Sequence, residues 1–139
     1  METEIRQMKP DDYDILCSVW SDDAGVGLGL GDEREGFERH LRRNPESSFV
    51  ANHRGRIVGA VLAGHDGRRG YLYHLLVLPE FRGRGLGRAL VERSLAALKQ
   101  EGILRVIITV LKTNDLGHGF WKKCDWLEVD FVKVYSKTL

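Results

Sequence analysis

Apolar residues recur along this chain with two periods, and the changes between them fall at glycine, proline, aspartate and asparagine. Residues 3–8 read as a short strand that Lys9-Pro10 stops. Pro10-Asp11-Asp12 suits a first helical turn, and Leu16, Val19 and Trp20 then recur at helical spacing, which predicts a helix over 11–21. A second helix is predicted from Asp32 to Asn44-Pro45, with Asp32 as cap, Glu35 three residues on, and Phe37 and Leu41 facing inward. Residues 47–53 and 56–64 form strands around an Arg54-Gly55 turn, and 71–77 a third beyond Asp66-Gly67. The near-continuous apolar run from Ile57 to Leu62 places the middle strand in a sheet covered on both faces. Leu90, Val91, Leu95 and Leu98 stripe a helix from Leu86 to about Gln100, which Gly102 closes. A buried strand over 103–111 and a helix over 114–124 follow. The end of the chain alternates again, with Val129, Phe131 and Tyr135 on one side and Val132 and Val134 on the other. Strand, helix and strand from 71 to 111 imply a right-handed crossover and a parallel pair.

Three connections are richer than a turn requires. Residues 22–31 set four glycines among Val26, Leu28 and Leu30, too costly for a helix, and read either as a lid or as a linker packed on the surface. His65, Asp66, Arg68 and Arg69 crowd the turn before the third strand, either as turn chemistry with surface charge or as a binding feature. The third is the stretch from Leu75 to Arg88, an apolar strand, Pro79, and a glycine-rich turn that opens a helix. Gly83, Gly85 and Gly87 let the backbone approach a ligand, the helix start offers unpaired N–H groups, and Arg82, Arg84 and Arg88 add charge. That combination is a pyrophosphate cradle. It is not a dinucleotide fingerprint, whose last glycine would fall at Arg88, nor a P-loop, which needs Lys and Ser/Thr after its second glycine.

Charge and composition narrow the partners. The 139 residues carry a net charge of +1 and are 42% hydrophobic and 29% charged, as in a soluble globular chain of one domain over 1–139. This balance gives no electrostatic case for nucleic acid or a membrane, and there is neither a signal-peptide pattern nor a membrane-length apolar run. Cys17 and Cys124 lack metal or redox spacing, so buried inert thiols and a cytoplasmic location are expected, with no metal.

The spacing Arg82-x-x-Gly85-x-Gly87, with Pro79 three residues ahead of Arg82, resembles the acyl-CoA motif of the GNAT superfamily of N-acetyltransferases. The resemblance extends in element order over nearly the whole chain. It implies an α/β fold with a central mixed, mostly antiparallel sheet of six or seven strands, about four flanking helices, and parallel strands splayed around the cofactor. It also implies acetyl-CoA as cofactor, held by Arg82, Gly83, Arg84, Gly85, Leu86, Gly87 and Arg88 and by backbone near Leu76, Val77 and Leu78. Asn114 matches the family position that touches the cofactor. The acyl carbonyl would be polarised by backbone N–H groups around Val77, and His74 is the candidate catalytic base, although strict alternation could aim its ring elsewhere. Many members of the superfamily work through ordered water and need no base residue. The tyrosine often assigned as general acid is replaced by Trp121, which cannot deliver a proton, and His118 is a possible substitute. A CoA thiolate is a tolerable leaving group without such an acid.

The expected partner is an amine acceptor, a small molecule in the leading reading. Arg68, Arg69 and the apolar loop point to one bearing a carboxylate or an apolar group. A protein or peptide N-acetyltransferase and a non-catalytic acyl-CoA-binding module are the alternatives. A homodimer through Val132-Lys133-Val134 is a further expectation from the superfamily.

Overall fold

Arg54 and Gly55 both adopt positive φ (51° and 83°), the pair of left-handed residues that lets a two-residue turn match the twist of its strands. The computed structural model describes residues 2–139. Its strands are β1 (Thr3–Gln7), β2 (Phe49–His53), β3 (Arg56–His65), β4 (Gly70–Val77) and β5 (Val106–Ile108). They form one sheet in the order β1-β2-β3-β4-β5, antiparallel throughout except for the parallel pair β4–β5. Four α-helices flank it: α1 (Tyr13–Ser21), α2 (Arg34–Arg43), α3 (Leu86–Gln100) and α4 (Asp115–Lys123). Pro10–Asp12, expected inside the first α-helix, is a separate turn of 3-10 helix. No helix among the described residues is long and apolar enough to cross a membrane.

Strand alternation divides the core into two layers. Val58, Val61 and Ala63 of β3 pack with Leu90, Val91 and Leu98 of α3 and Trp121 of α4. Ile57, Ala60 and Leu62 of the same strand pack with Leu16, Trp20, Phe37 and Leu41 of α1 and α2. β3 is thus covered on both faces, as its composition requires. Beside this second layer, Asp12 ties the β1–α1 junction: Arg6 donates to both of its carboxylate oxygens at 2.9 Å, and the Lys9 N–H to one of them at 2.8 Å. Burial opposes ionisation of Asp12, but these donors outweigh it and hold the carboxyl below the usual range.

Two expectations about the C-terminal half are corrected. The sheet has five strands rather than six or seven, because residues after Trp126 pair with no strand among the described residues. Their alternation is present, yet a strand exists only where a neighbour accepts its ladder, and Leu127, Phe131, Val134 and Tyr135 remain exposed. β5 is likewise three residues long instead of nine, since its pairing with β4 ends at Leu72–Ile108.

β4 contains the one irregularity that matters most for function. Ala60 pairs with Leu76 and Leu62 with Tyr73, so β4 spends three residue steps where β3 spends two. The extra residue is a bulge at His74–Leu75, with His74 at φ 51°. It reverses the alternation: Leu72 packs on the α3 layer, whereas Leu76, four residues on, packs on the α1–α2 layer.

Candidate active site

Past Leu72 and Ile108 the parallel strands part, and a cleft of about 1340 Å³ opens between them. One wall is β4 from Tyr73 to Val77, and the opposite wall is Ile108 to Leu111. The N–H of Leu78 donates to the Val58 carbonyl at 2.9 Å. Because the N–H and C=O of one strand residue point to the same side and successive residues alternate, Val77 must direct both groups away from β3, into the gap. The Arg82 Nε donating to the Val77 carbonyl at 2.9 Å agrees with that direction. Leu75 also lines the cleft, a position outside the expected cofactor residues.

At one end of the cleft lies the glycine turn. Gly85 (φ 82°) is the residue before α3, and no side chain caps that helix. Its first N–H groups and the positive end of its dipole therefore face the cleft mouth unneutralised, with Arg82 and Arg88 on the lining. Gly87 has a different reason to be glycine: a Cβ there would lie 3.0 Å from the Phe120 ring, so its absence lets α3 and α4 approach. This donor set, uncapped amides plus two guanidinium groups, fits a pyrophosphate.

The structure separates the expected cofactor residues into two groups. Leu76, Val77, Arg82, Gly83, Gly85, Leu86, Gly87, Arg88 and Asn114 line the cleft. Arg84 and Leu78 do not: Arg84 donates to the Glu80 carbonyl and lies over the Phe81 ring, and the Leu78 N–H is taken by Val58. Asn114 caps α4, its Oδ1 accepting the Gly117 N–H at 2.8 Å.

The glycine loop crosses the opening. Asp23 accepts from Arg82 at 3.3 Å, Asn114 donates to the Gly25 carbonyl at 3.4 Å, and a Cβ on Gly27 would lie 3.5 Å from Leu111. Of the two readings left open for residues 22–31, the loop over the cleft is the one observed.

Across the bulge, the His74 ring sits in the α1–α2 layer, 5.2 Å from the Trp20 ring, and its Nε2 lies 2.8 Å from Asp32 Oδ1. The Trp20 indole N–H donates to the His74 carbonyl at 3.0 Å and holds the strained backbone in place. Asp32 was expected to cap α2, but that helix starts from Glu33, which leaves the Asp32 carboxylate free to turn inward. His40 shares this part of the cleft. Burial lowers its pKa, outweighing the Ala63 carbonyl, to which its Nε2–H donates at 2.8 Å and which favours the charged ring.

Several candidate side chains stand apart. Asp66 accepts the N–H groups of Arg68 and Arg69 in the exposed turn at the opposite end of β4 from Val77, and His65 meets Glu101 there. His118 is bound to the Leu111 carbonyl at 2.9 Å and does not line the cleft, so it does not replace a general acid. Trp121 is buried, 4.8 Å from the Trp126 ring. Both thiols are unpaired and half-buried rather than fully buried.

A five-stranded mixed sheet that opens at its parallel pair, with an arginine- and glycine-lined helix start at the opening, is the architecture of an acetyltransferase fold. The model of the Acetyltransferase (GNAT) family matches residues 13–126, and the chain belongs to that family of acetyltransferases. An acetyltransferase of Pectobacterium atrosepticum is 34% identical over 136 residues, 98% of this chain and 96% of its own. Ard1 of Thermoplasma volcanium has the same fold at a TM-score of 0.80 and 21% identity, over 94% of this chain and 86% of its own. An acetyltransferase of Clostridium acetobutylicum, solved with acetyl-CoA, superposes at a TM-score of 0.77 and 17% identity over 96% of each chain.

Proposed function

We propose that this enzyme transfers acetyl from acetyl-CoA to a primary amine of a small molecule by direct attack while both substrates are bound. The observation that carries the reading is the free edge of β4: the Val77 amide faces a gap with an uncapped helix start at one end and the His74 ring at the other. Acetyl-CoA supplies an activated acetyl thioester and, as thiolate, a leaving group that needs no protein acid. Arg82, Arg88 and the amides from Gly83 to Arg88 hold its pyrophosphate, and Leu76, Val77 and Asn114 border its arm. Val77 donates its N–H to the carbonyl oxygen where negative charge develops. His74 takes the proton that the amine releases as its nitrogen bonds the acetyl carbon and the carbon–sulfur bond breaks. A solved neighbour that holds acetyl-CoA in the same fold supports the choice of acyl donor.

The loop over the cleft favours a small acceptor over a polypeptide. The acceptor end is lined by Val26, Leu30, Phe37 and Tyr73, which suits an amine on an apolar stem, while Arg68 and Arg69 lie too far along β4 to serve it. The exposed alternation after Trp126 supports a homodimer through Val132–Val134, which sedimentation would test. The deciding experiment incubates the protein with acetyl-CoA and a panel of aralkyl, alkyl and amino-acid amines and follows free thiol. Release that depends on an amine supports the reading; amine-independent hydrolysis alone, or acetylation of peptides only, refutes it.

A further inference from the structure

His74 reaches the cleft through a bulge that places a non-glycine residue in the left-handed region, a conformation costing roughly 1–3 kcal/mol that persists only where surroundings over-determine it. Trp20 holds the backbone through the His74 carbonyl, and the contacts that fix the ring converge on Asp32. Its Oδ1 accepts the His74 Nε2–H at 2.8 Å, and its Oδ2 accepts the Gly29 N–H at 2.8 Å. Its carbonyl accepts the Tyr13 hydroxyl at 2.9 Å. The pair is largely withdrawn from solvent, with side-chain exposures of 13% for His74 and 21% for Asp32. No fully buried side-chain nitrogen or oxygen among the described residues lacks a partner, so the other ring nitrogen, Nδ1, keeps some exposure, and His74 lines the cleft.

We propose that Asp32 is a positioning residue for acetyl transfer: it holds the His74 proton on Nε2, keeps Nδ1 as the proton acceptor facing the amine, and does so only while the glycine loop lies closed. An imidazole has one proton in its neutral form, and whichever nitrogen donates it cannot also accept. A carboxylate has no proton to offer at neutral pH, so it can only accept, and this forces the donor role onto Nε2. The loop dependence follows from position. Asp32 ends the 22–31 segment, and the same carboxylate that orients His74 closes the loop's last turn through Gly29. A loop that swings off the cleft takes Asp32 with it and releases the ring. The base is therefore assembled only over a covered cleft, where a bound amine is screened from water.

This inference rests on His74 acting as the base, and its test separates the two. The variants are Asp32→Asn, Tyr13→Phe, His74→Gln and the Asp32→Asn/His74→Gln pair, read first by nitrogen-15 NMR of labelled histidine at pH 8.5 without substrate. The wild type should show His74 as the Nε2–H tautomer. Asp32→Asn, whose amide can donate to Nε2, should move it toward Nδ1–H. An unchanged tautomer overturns the proposal whatever the enzyme does.

The second reading is turnover. Asp32→Asn should lower kcat by about 10- to 100-fold with the acetyl-CoA KM within twofold, and Tyr13→Phe by a smaller factor. The pair should be no slower than His74→Gln alone, because residues that act as one unit do not multiply. A kcat within twofold in Asp32→Asn, or multiplicative losses in the pair, refutes the positioning role. Wild-type turnover that His74→Gln leaves intact sinks the base assignment, and no turnover with any amine sinks the proposed function.

Discussion

Gly85→Glu perturbs the proposed cofactor cradle at a position where the two consequences can be computed apart. Gly85 sits at φ 82° before α3, and an added Cβ would meet nothing within 4 Å, so the cost of a side chain is backbone strain rather than collision. A left-handed conformation costs an L-residue about 1–2 kcal/mol. A carboxylate beside the start of a helix returns about 0.3–1 kcal/mol through the dipole. The ligand-free variant is thus destabilised by about 1 kcal/mol. At about 2.1 cal/mol/K per residue, unfolding of a 139-residue chain carries about 0.29 kcal/mol/K, so each kcal/mol moves Tm by about 3–4 °C. Acetyl-CoA at a hundred times its Kd contributes about 2.7 kcal/mol to the wild type, a rise of about 9 °C. In the variant the glutamate occupies the anion position, neutralises the amides and repels the pyrophosphate, and the rise should vanish. The assay is a thermal melt of both proteins with and without acetyl-CoA. A variant that keeps the 9 °C shift would show that the cofactor lies elsewhere. A wild type without any shift would remove acetyl-CoA as ligand.

Three further outcomes follow from particular contacts. Asp23 holds the Arg82 guanidinium at 3.3 Å, so Asp23→Asn should free Arg82 and tighten acetyl-CoA by up to about fivefold, the worth of a half-exposed pair. Weaker binding by calorimetry would mean that Asp23 helps the site instead. Arg6→Ala should destabilise by about 2–3 kcal/mol, since it strips both guanidinium bonds from the buried Asp12, and a Tm loss under 2 °C would refute this. His40 is held neutral by burial, so its folded pKa lies below the unfolded value of roughly 6.5. Below that pH the unfolded chain binds more protons, and stability falls as pH drops from 7 toward 5. His40→Gln should flatten that slope in denaturant melts, and an unchanged slope would refute the assignment.

Much of this protein is legible in its sequence because the relevant physics is local. Arg54-Gly55 and Asp66-Gly67 are turns through their own backbone preferences, and the Leu90–Leu98 stripe is a helix face at any address in a fold. The cradle from Pro79 to Arg88 is readable for the same reason: strand, turn and helix start are contiguous, so their unpaired amides and arginines converge without help from elsewhere. What lay beyond the sequence depends on partners distant along the chain. The alternation of Val129 to Tyr135 says which way side chains would point on a strand, not whether a neighbouring edge exists to make one. The spacing of Asp32 suits a cap, yet its carboxylate turns to a histidine 42 positions later. Above all, alternation assumes an unbroken pleat, and the extra residue at His74–Leu75 breaks it. That bulge appears only when β4 is laid against β3, where Val61 faces two residues instead of one. The sequence by itself determined the order of elements as far as the last helix, the glycine turn before α3 and the family. The tertiary structure alone decided that His74 enters the cleft and that Asp32 waits for it there, because register is a property of two strands together.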